Sequence, residues 1–478
     1  MSEPLDHLYA FPLNGARMPL MEPATQTALA TLQLANVDDV AVAAGRAAKA
    51  QVSWAAMPFD QRARVLRRAA ELLNERAELF NRWNVRECGS ILPKAEWEVG
   101  ASYEQLHAAA GLSGQPHGQV IPSSVPGRTN LCLRVPLGVV GVIAPWNYPL
   151  LLAMRSVAPA LALGNAVLLK PALQGTCCGG LLLAQLFTDA GLPEGVFQVL
   201  PGEAEVGDAM VRDPNVAMIS FTGSTAVGRH IGEVCGGLLK KVALELGGNN
   251  AFVVLGDADI EAAASHGAWG AFLHQGQICM QAGRHFVHES IAPAYTQALT
   301  RHAQALMAGD PHTQNVHLGP LINTAQHQRV DRLVQASVAQ GATLLTGGKG
   351  EGLYYNATVL SNVTPQMPVF TEELFGPVAP IVTFANDEQL VNWVNASAYG
   401  LAAGIHTANL ARGLAIAQQL KTGMVHINDQ PVNAEFNVPF GGMGASGNGG
   451  RFGGPINAEE FTQSQWVSMI AQPVAYPF

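Results

Sequence analysis

The chain has 478 residues, 48% of them hydrophobic and only 13% charged, with 50 glycines and a net charge of −9. That length exceeds one ordinary core, so two or three domains are expected, and the composition is that of a packed α/β protein rather than a disordered one. The acidic balance argues against nucleic acid or an anionic membrane surface as the main partner.

The opening MSEPLDHLYAF has neither the basic start nor the apolar core of a secretory signal. From Val37 to about Trp83, apolar residues recur at three- and four-residue spacing, which predicts helices. Pro122 to Pro136, PSSVPGRTNLCLRVP, alternates like an exposed hairpin. Val135 to Met154 carries no charge over a bilayer-spanning length, yet Pro145 and Pro149 would break a membrane helix there and Asn147 would sit unpaired. A buried strand, a loop and then a helix is the expectation instead.

Short β-rich runs then alternate with helical ones: VVGVIA, AVLLKP, GVFQVLPG, VAMISFTG and KKVALELGG. A second series comprises ATLLTGG, VAPIVTF, AAGIHT and GMVHIND. Strands spaced by helices predict βαβ units, parallel sheets and an α/β fold of two doubly wound lobes. The tail EEFTQSQWVSMIAQPVAYPF ends in apolar and aromatic residues. A two-stranded ribbon is marginal alone, so the Pro122–Pro136 hairpin is expected to pack on a partner subunit.

Chemistry-bearing residues stand between these runs. The six cysteines include one, Cys279 in HQGQICMQAGRH, among glycines, glutamines and an arginine. It lacks both the apolar neighbours of a structural thiol and the nearby partner of a metal ligand, leaving a bland loop thiol or a nucleophile. No cysteine spacing reads as a metal pair, and free thiols in a reducing cytoplasm fit best. FTGSTAVG, Phe221 to Gly228, is a glycine-bearing strand-to-helix turn that could approach a pyrophosphate or be an ordinary tight turn. Lys170 ends a strand where it could hold a ribose hydroxyl or simply be solvated. Glu245 in LELGG is either a desolvated general base or a buried carboxylate paired with a cation. Asn147, between prolines in APWNYP, is either a preset oxyanion donor or turn chemistry.

Taken in order, PWNYP, LLKPA, FTGSTAVG, LELGG, GQIC and EELFGPV at Glu372 to Val378 resemble the aldehyde dehydrogenase superfamily over nearly the whole chain. WNVRECGS, MVHINDQP and PFGGMGASGNGGRFGG are further similar to the NAD-dependent benzaldehyde dehydrogenases of aromatic degradation, with vanillin and other aryl aldehyde oxidisers as neighbours.

The resemblance implies Rossmann-like lobes: a cofactor-binding domain over 1–117 and 138–247, a catalytic domain over 248–447, and a small β oligomerisation arm from 118–137 and 456–478. It implies Cys279 as nucleophile, Glu245 as base for hydrolysis, and Asn147 with the Cys279 N–H as oxyanion donors. Lys170 and Glu373 would take the riboses of NAD. Gly223, Ser224 and Gly228 would lie at its pyrophosphate, with Trp146 and Leu246 beside the cofactor. Trp146, Tyr148, Ile278 and Met280 are candidate pocket walls, each also explicable as plain core. A cytoplasmic homodimer or dimer-of-dimers tetramer acting on a small aromatic aldehyde is implied, with no metal.

Three positions depart from the pattern. Leu173 stands where many NAD-preferring members have a glutamate, so NADP could be accepted. Ser156, beside Arg155, replaces a frequent lysine, and Arg451 aligns with a second glutamate. The alternatives to benzaldehyde-type oxidation are hydroxylated aryl or aliphatic aldehydes, a CoA-acylating enzyme, and an inactive structural relative. Glu245 argues against the CoA branch, which lacks the hydrolytic glutamate, and an inactive relative has no reason to keep both Cys279 and Glu245.

Overall fold

The computed structural model describes residues 5–9, 11–473 and 475–478. Two parallel sheets organise the chain. The first has five strands, in spatial order Phe197–Val199, Ala166–Pro171, Val139–Ala144, Val216–Thr222 and Lys241–Glu245, all parallel. These runs are buried on both faces, as the continuous apolar sequences VVGVIA and AVLLKP require. The strand order reverses around Val139–Ala144, so the carboxyl edge beside it is a crevice of the kind where α/β folds bind ligands. The second sheet has seven strands and is antiparallel only where Thr343–Thr346 meets Thr358–Ser361. This is the doubly wound α/β class the alternation predicts.

Val135 to Met154 resolves into the Val139–Ala144 strand, a loop and the Pro149–Ala162 helix. Pro149 opens that helix at its first turn, where its missing N–H costs nothing. Among the described residues no helix is long and apolar enough to cross a membrane.

The hairpin reading needs correction. Pro122–Gly127 is only the connection; the strands are Gly118–Ile121 and Arg128–Pro136. The ribbon is also not two-stranded, because Thr462–Ile470 pairs antiparallel along the whole of Arg128–Pro136. Alternation along PSSVPG reflected turn residues rather than a pleat. Several further strands went unread, Thr358–Ser361 and the short Tyr399–Gly400 and Met443–Gly444 among them. Arg17–Glu22 and Thr27–Gln33 form an N-terminal ribbon, and Ala251–Val254 and Arg284–His288 lie at the centre of the seven-stranded sheet.

Candidate active site

The carboxyl ends of the first sheet bring Asn147, Lys170, Gly223 and Glu245 to one edge, because parallel strands all point the same way. The cysteine loop comes from the other sheet's side of the chain and is held against this edge. Asn147 is buried, and its Nδ2 donates to the Gln277 carbonyl at 2.9 Å, two residues before Cys279.

The glutamines around Cys279 are anchors. Gln275, Gln277 and Gln281 are all buried. Gln275 Nε2 donates to the carbonyls of Gly89 and Pro320 at 2.9 Å each, and Gln277 Oε1 accepts from the Ile322 N–H at 3.0 Å. Gln281 Nε2 donates to the Ala271 carbonyl, and Asn250 Nδ2 to the carbonyls of Cys279 and Gln281. His274, Gln275 and Gly276 take left-handed backbone angles in succession, φ 48°, 55° and 67°. Two non-glycine residues in that region store strain that only such a set of anchors maintains.

Cys279 itself is half-buried and opens on a cavity of about 1270 Å³. Asn147, Tyr148, Ile278 and Met280 line it too. Aromatic side chains in the rest of its wall are Trp97, Trp269, Phe272, Phe436, Phe440 and Phe452. Tyr148 is buried, edge-on to Trp97 at 6.0 Å and to His274 at 5.6 Å, with the Lys94 Nζ 4.2 Å from its ring centroid. Leu151, Leu152 and Arg155 follow Tyr148 at helical spacing, so one face of the Pro149–Ala162 helix forms a wall. That signal was readable from the sequence; the distant aromatics were not.

Trp146 does not join the cavity. It is half-exposed and packs edge-on against Phe375 at 5.7 Å.

Burial pushes the Cys279 thiol up to about 12, with Arg155 opposing and Glu245 and Glu373 adding to the rise. Glu245 is buried, and neither carboxyl oxygen has a hydrogen-bond partner among the described residues. Burial raises its carboxyl to about 8, against the pull of Arg155 and Arg451. Such a carboxyl still holds its proton at neutrality and ionises as pH rises through about 8, which suits a general base that takes and returns a proton.

The remaining positions suit a dinucleotide. Lys170 is half-buried, and burial lowers its ammonium to about 8, with Glu205 and Glu203 opposing. Ser224 caps the Thr225–Gly237 helix, whose N-terminus carries the partial positive charge that phosphates favour. Glu373 Oε1 accepts from the Gly248 N–H at 3.0 Å, and a Cβ on Gly247 would lie 2.3 Å from its Oε2, so glycine alone leaves room for the carboxylate. Gly228 is buried against Leu246, whose Cδ2 would be 2.3 Å from an added Cβ; the glycine lets helix and sheet close together. A cation and a helix N-terminus donate to phosphates and hydroxyl oxygens, and a carboxylate accepts from ribose hydroxyls. Among the described residues no cluster of three or more His, Cys, Asp or Glu is arranged to hold a metal ion.

The chain belongs to the aldehyde dehydrogenase family, which it matches over residues 12–467. It is 59% identical to the benzaldehyde dehydrogenase (NAD+) of Pseudomonas putida over 97% of this chain and 96% of that protein. It is 49% identical to the vanillin dehydrogenase of an Amycolatopsis species, over 97% and 96%. The NAD-dependent aldehyde dehydrogenase of Sinorhizobium meliloti, a solved structure, superposes with a TM-score of 0.95 at 33% identity, covering 100% of this chain and 97% of that one.

Proposed function

We propose that the protein oxidises an aromatic aldehyde of the benzaldehyde type to its carboxylic acid with NAD+, through covalent chemistry on Cys279, in the catabolism of aromatic compounds. The observation that carries this reading is Cys279 itself, opening on an aromatic-walled cavity beside a buried asparagine amide. The similarity to the P. putida benzaldehyde dehydrogenase supports it.

Cys279 Sγ, as thiolate, attacks the aldehyde carbon and turns the carbonyl oxygen into an oxyanion. One Asn147 amide hydrogen is committed to Gln277, leaving the other, with the Cys279 N–H, for that oxyanion. Bound NAD+ supplies a hydride acceptor. Loss of hydride from the former aldehyde carbon leaves a thioester on Cys279. Glu245 takes a proton from water as the water attacks that thioester, and the acid departs as the thiolate is restored. Lys170 and Glu373 would hold the ribose hydroxyls of NAD+, and the turn from Gly223 to Gly228 would take its pyrophosphate.

The Amycolatopsis relative favours a second reading, oxidation of hydroxylated aryl aldehydes. The three-stranded sheet exposes Val120, Trp466 and Met469, which supports its role as an arm pairing subunits into dimers or tetramers. The same division of sheets supports a cofactor domain over 1–117 and 138–247 and a catalytic domain over 248–447. The six cysteines are free, which agrees with a cytoplasmic setting.

Purified protein given benzaldehyde and NAD+ without CoA should release benzoate and NADH in equal amounts. Acetaldehyde should show a much lower kcat/KM. Equal values for the two would reject the aryl reading, and a strict need for CoA would reject hydrolysis by Glu245.

A further inference from the structure

Arg155 is a charged group of the cavity that the chemistry above leaves unused. It lines the cavity with Cys279 from the Pro149–Ala162 helix. Its guanidinium is wedged between two rings, 4.7 Å from the Phe440 centroid and 4.8 Å from that of Phe452. Phe440 and Phe452 are joined to each other by two backbone hydrogen bonds, 2.7 and 2.9 Å, so the clamp is rigid. An Arg155 NH2 group donates to Thr222 Oγ1 at 3.1 Å, and Thr222 is the register partner of Glu245 on the neighbouring strand.

The arrangement is incomplete as a structural ion pair. Arg155 Nε is buried without a hydrogen-bond partner among the described residues, and so are both oxygens of Glu245. Buried guanidinium groups are ordinarily satisfied by carboxylates, and they keep their charge where an ammonium would lose it. The charged and titratable groups facing Cys279 are Arg155, Glu245, Glu373 and Tyr148. Those facing Glu245 are Arg155, Arg451 and Glu460. Arg155 is thus the one cation facing both.

We propose that Arg155 is a positioning residue whose clamped charge stabilises the Cys279 thiolate and the Glu245 carboxylate together. The proposal rests on the assignment of Cys279 and Glu245 made above. The guanidinium exchanges no proton; the thiol proton leaves to Glu245 or water, and Arg155 lowers the energy of the anion left behind.

The test is alkylation of Cys279 by iodoacetamide across pH 6 to 10, without aldehyde or cofactor, followed on the Cys279 peptide by mass spectrometry. Half-exposed Cys132 is the internal control. Arg155→Gln keeps a donor for Thr222 but removes the charge. It should slow alkylation of Cys279 about ten-fold or more near pH 8, the effect of one pKa unit, and leave Cys132 unchanged. Arg155→Lys should restore most of the rate. Arg155→Met, matching its apolar clamp, gives the same reading should the glutamine not be tolerated. Identical Cys279 profiles in the wild type and a folded neutral variant would overturn the proposal. Because no substrate is present, that result leaves the aldehyde reading standing, whereas turnover by Cys279→Ala would remove the reading itself.

Discussion

The side-chain amide of Asn147 donates to the carbonyl of Gln277 at 2.9 Å, joining a loop of the first sheet to the loop that carries the cysteine. The bond both aims the amide and ties down the nucleophile. Asn147→Ala should therefore lower kcat by ~10²–10³-fold, the usual loss for one oxyanion donor. Its burst of NADH should slow in step, since the loss falls on the first chemical step. A burst at the wild-type rate would place the donor elsewhere.

Cys279 and Glu245 should separate kinetically. Cys279→Ala abolishes turnover. Glu245→Gln should give about one NADH per site and then near silence, because losing a positioned base typically costs ~10²–10⁴-fold and here strands the thioester. Intact mass spectrometry of the stalled variant should find the aroyl group on Cys279. Steady turnover close to wild type would mean another base.

Glu245 also sets a pH dependence. Burial lifts its carboxyl from 4.5 to about 8, so the folded chain holds this proton more tightly than the unfolded one. Its contribution to stability is fully present below the ordinary carboxylate value and is lost as pH rises through about 8. Glu245→Gln has no such loss. The variant should gain on the wild type between pH 5 and pH 9, by on the order of a few kcal/mol, in urea unfolding at the two pH values. Hydrolysis in the wild type should run the other way, rising with pH to a plateau above 8 as the base ionises.

The strained turn before the cysteine should tolerate little. Gly276 has φ +67°, and a Cβ there would lie 2.2 Å from the Gly376 carbonyl oxygen. Gly276→Ala combines a left-handed alanine with a backbone clash, for a loss of ~2 kcal/mol or more. Thermal unfolding should show the drop, and Cys279 should lose reactivity as its loop shifts.

Cofactor choice turns on Leu173, half-buried at the turn after the Lys170 strand. It offers no acceptor to a 2′-hydroxyl and no charge against a 2′-phosphate. NAD should be preferred and NADP usable, while Leu173→Glu should sharpen the preference. Initial rates with each cofactor decide it; no activity at high NADP would refute the tolerance.

Much of this was legible in the chain itself. Alternating apolar and helical runs announced two doubly wound lobes, and strand ends marked Asn147, Lys170 and Glu245. Those signals are local: periodicity and turn residues report the backbone and the face a side chain takes. The two central strands that escaped notice show where locality fails. AFVV is too short to tell from a helix turn, and Arg284 and His285 make RHFVH read as surface. Both side chains are buried, Arg284 Nε on the Asn249 carbonyl and His285 Nδ1 on the Tyr295 hydroxyl. Only the fold supplied those partners. It likewise decided that Trp97, Trp269 and Phe436 share one cavity, that Glu245 lies buried without a partner, and that Arg155 sits clamped between Phe440 and Phe452. Each is a meeting of residues far apart in the chain, and desolvation, which sets their charges, exists only once the two sheets have closed over them.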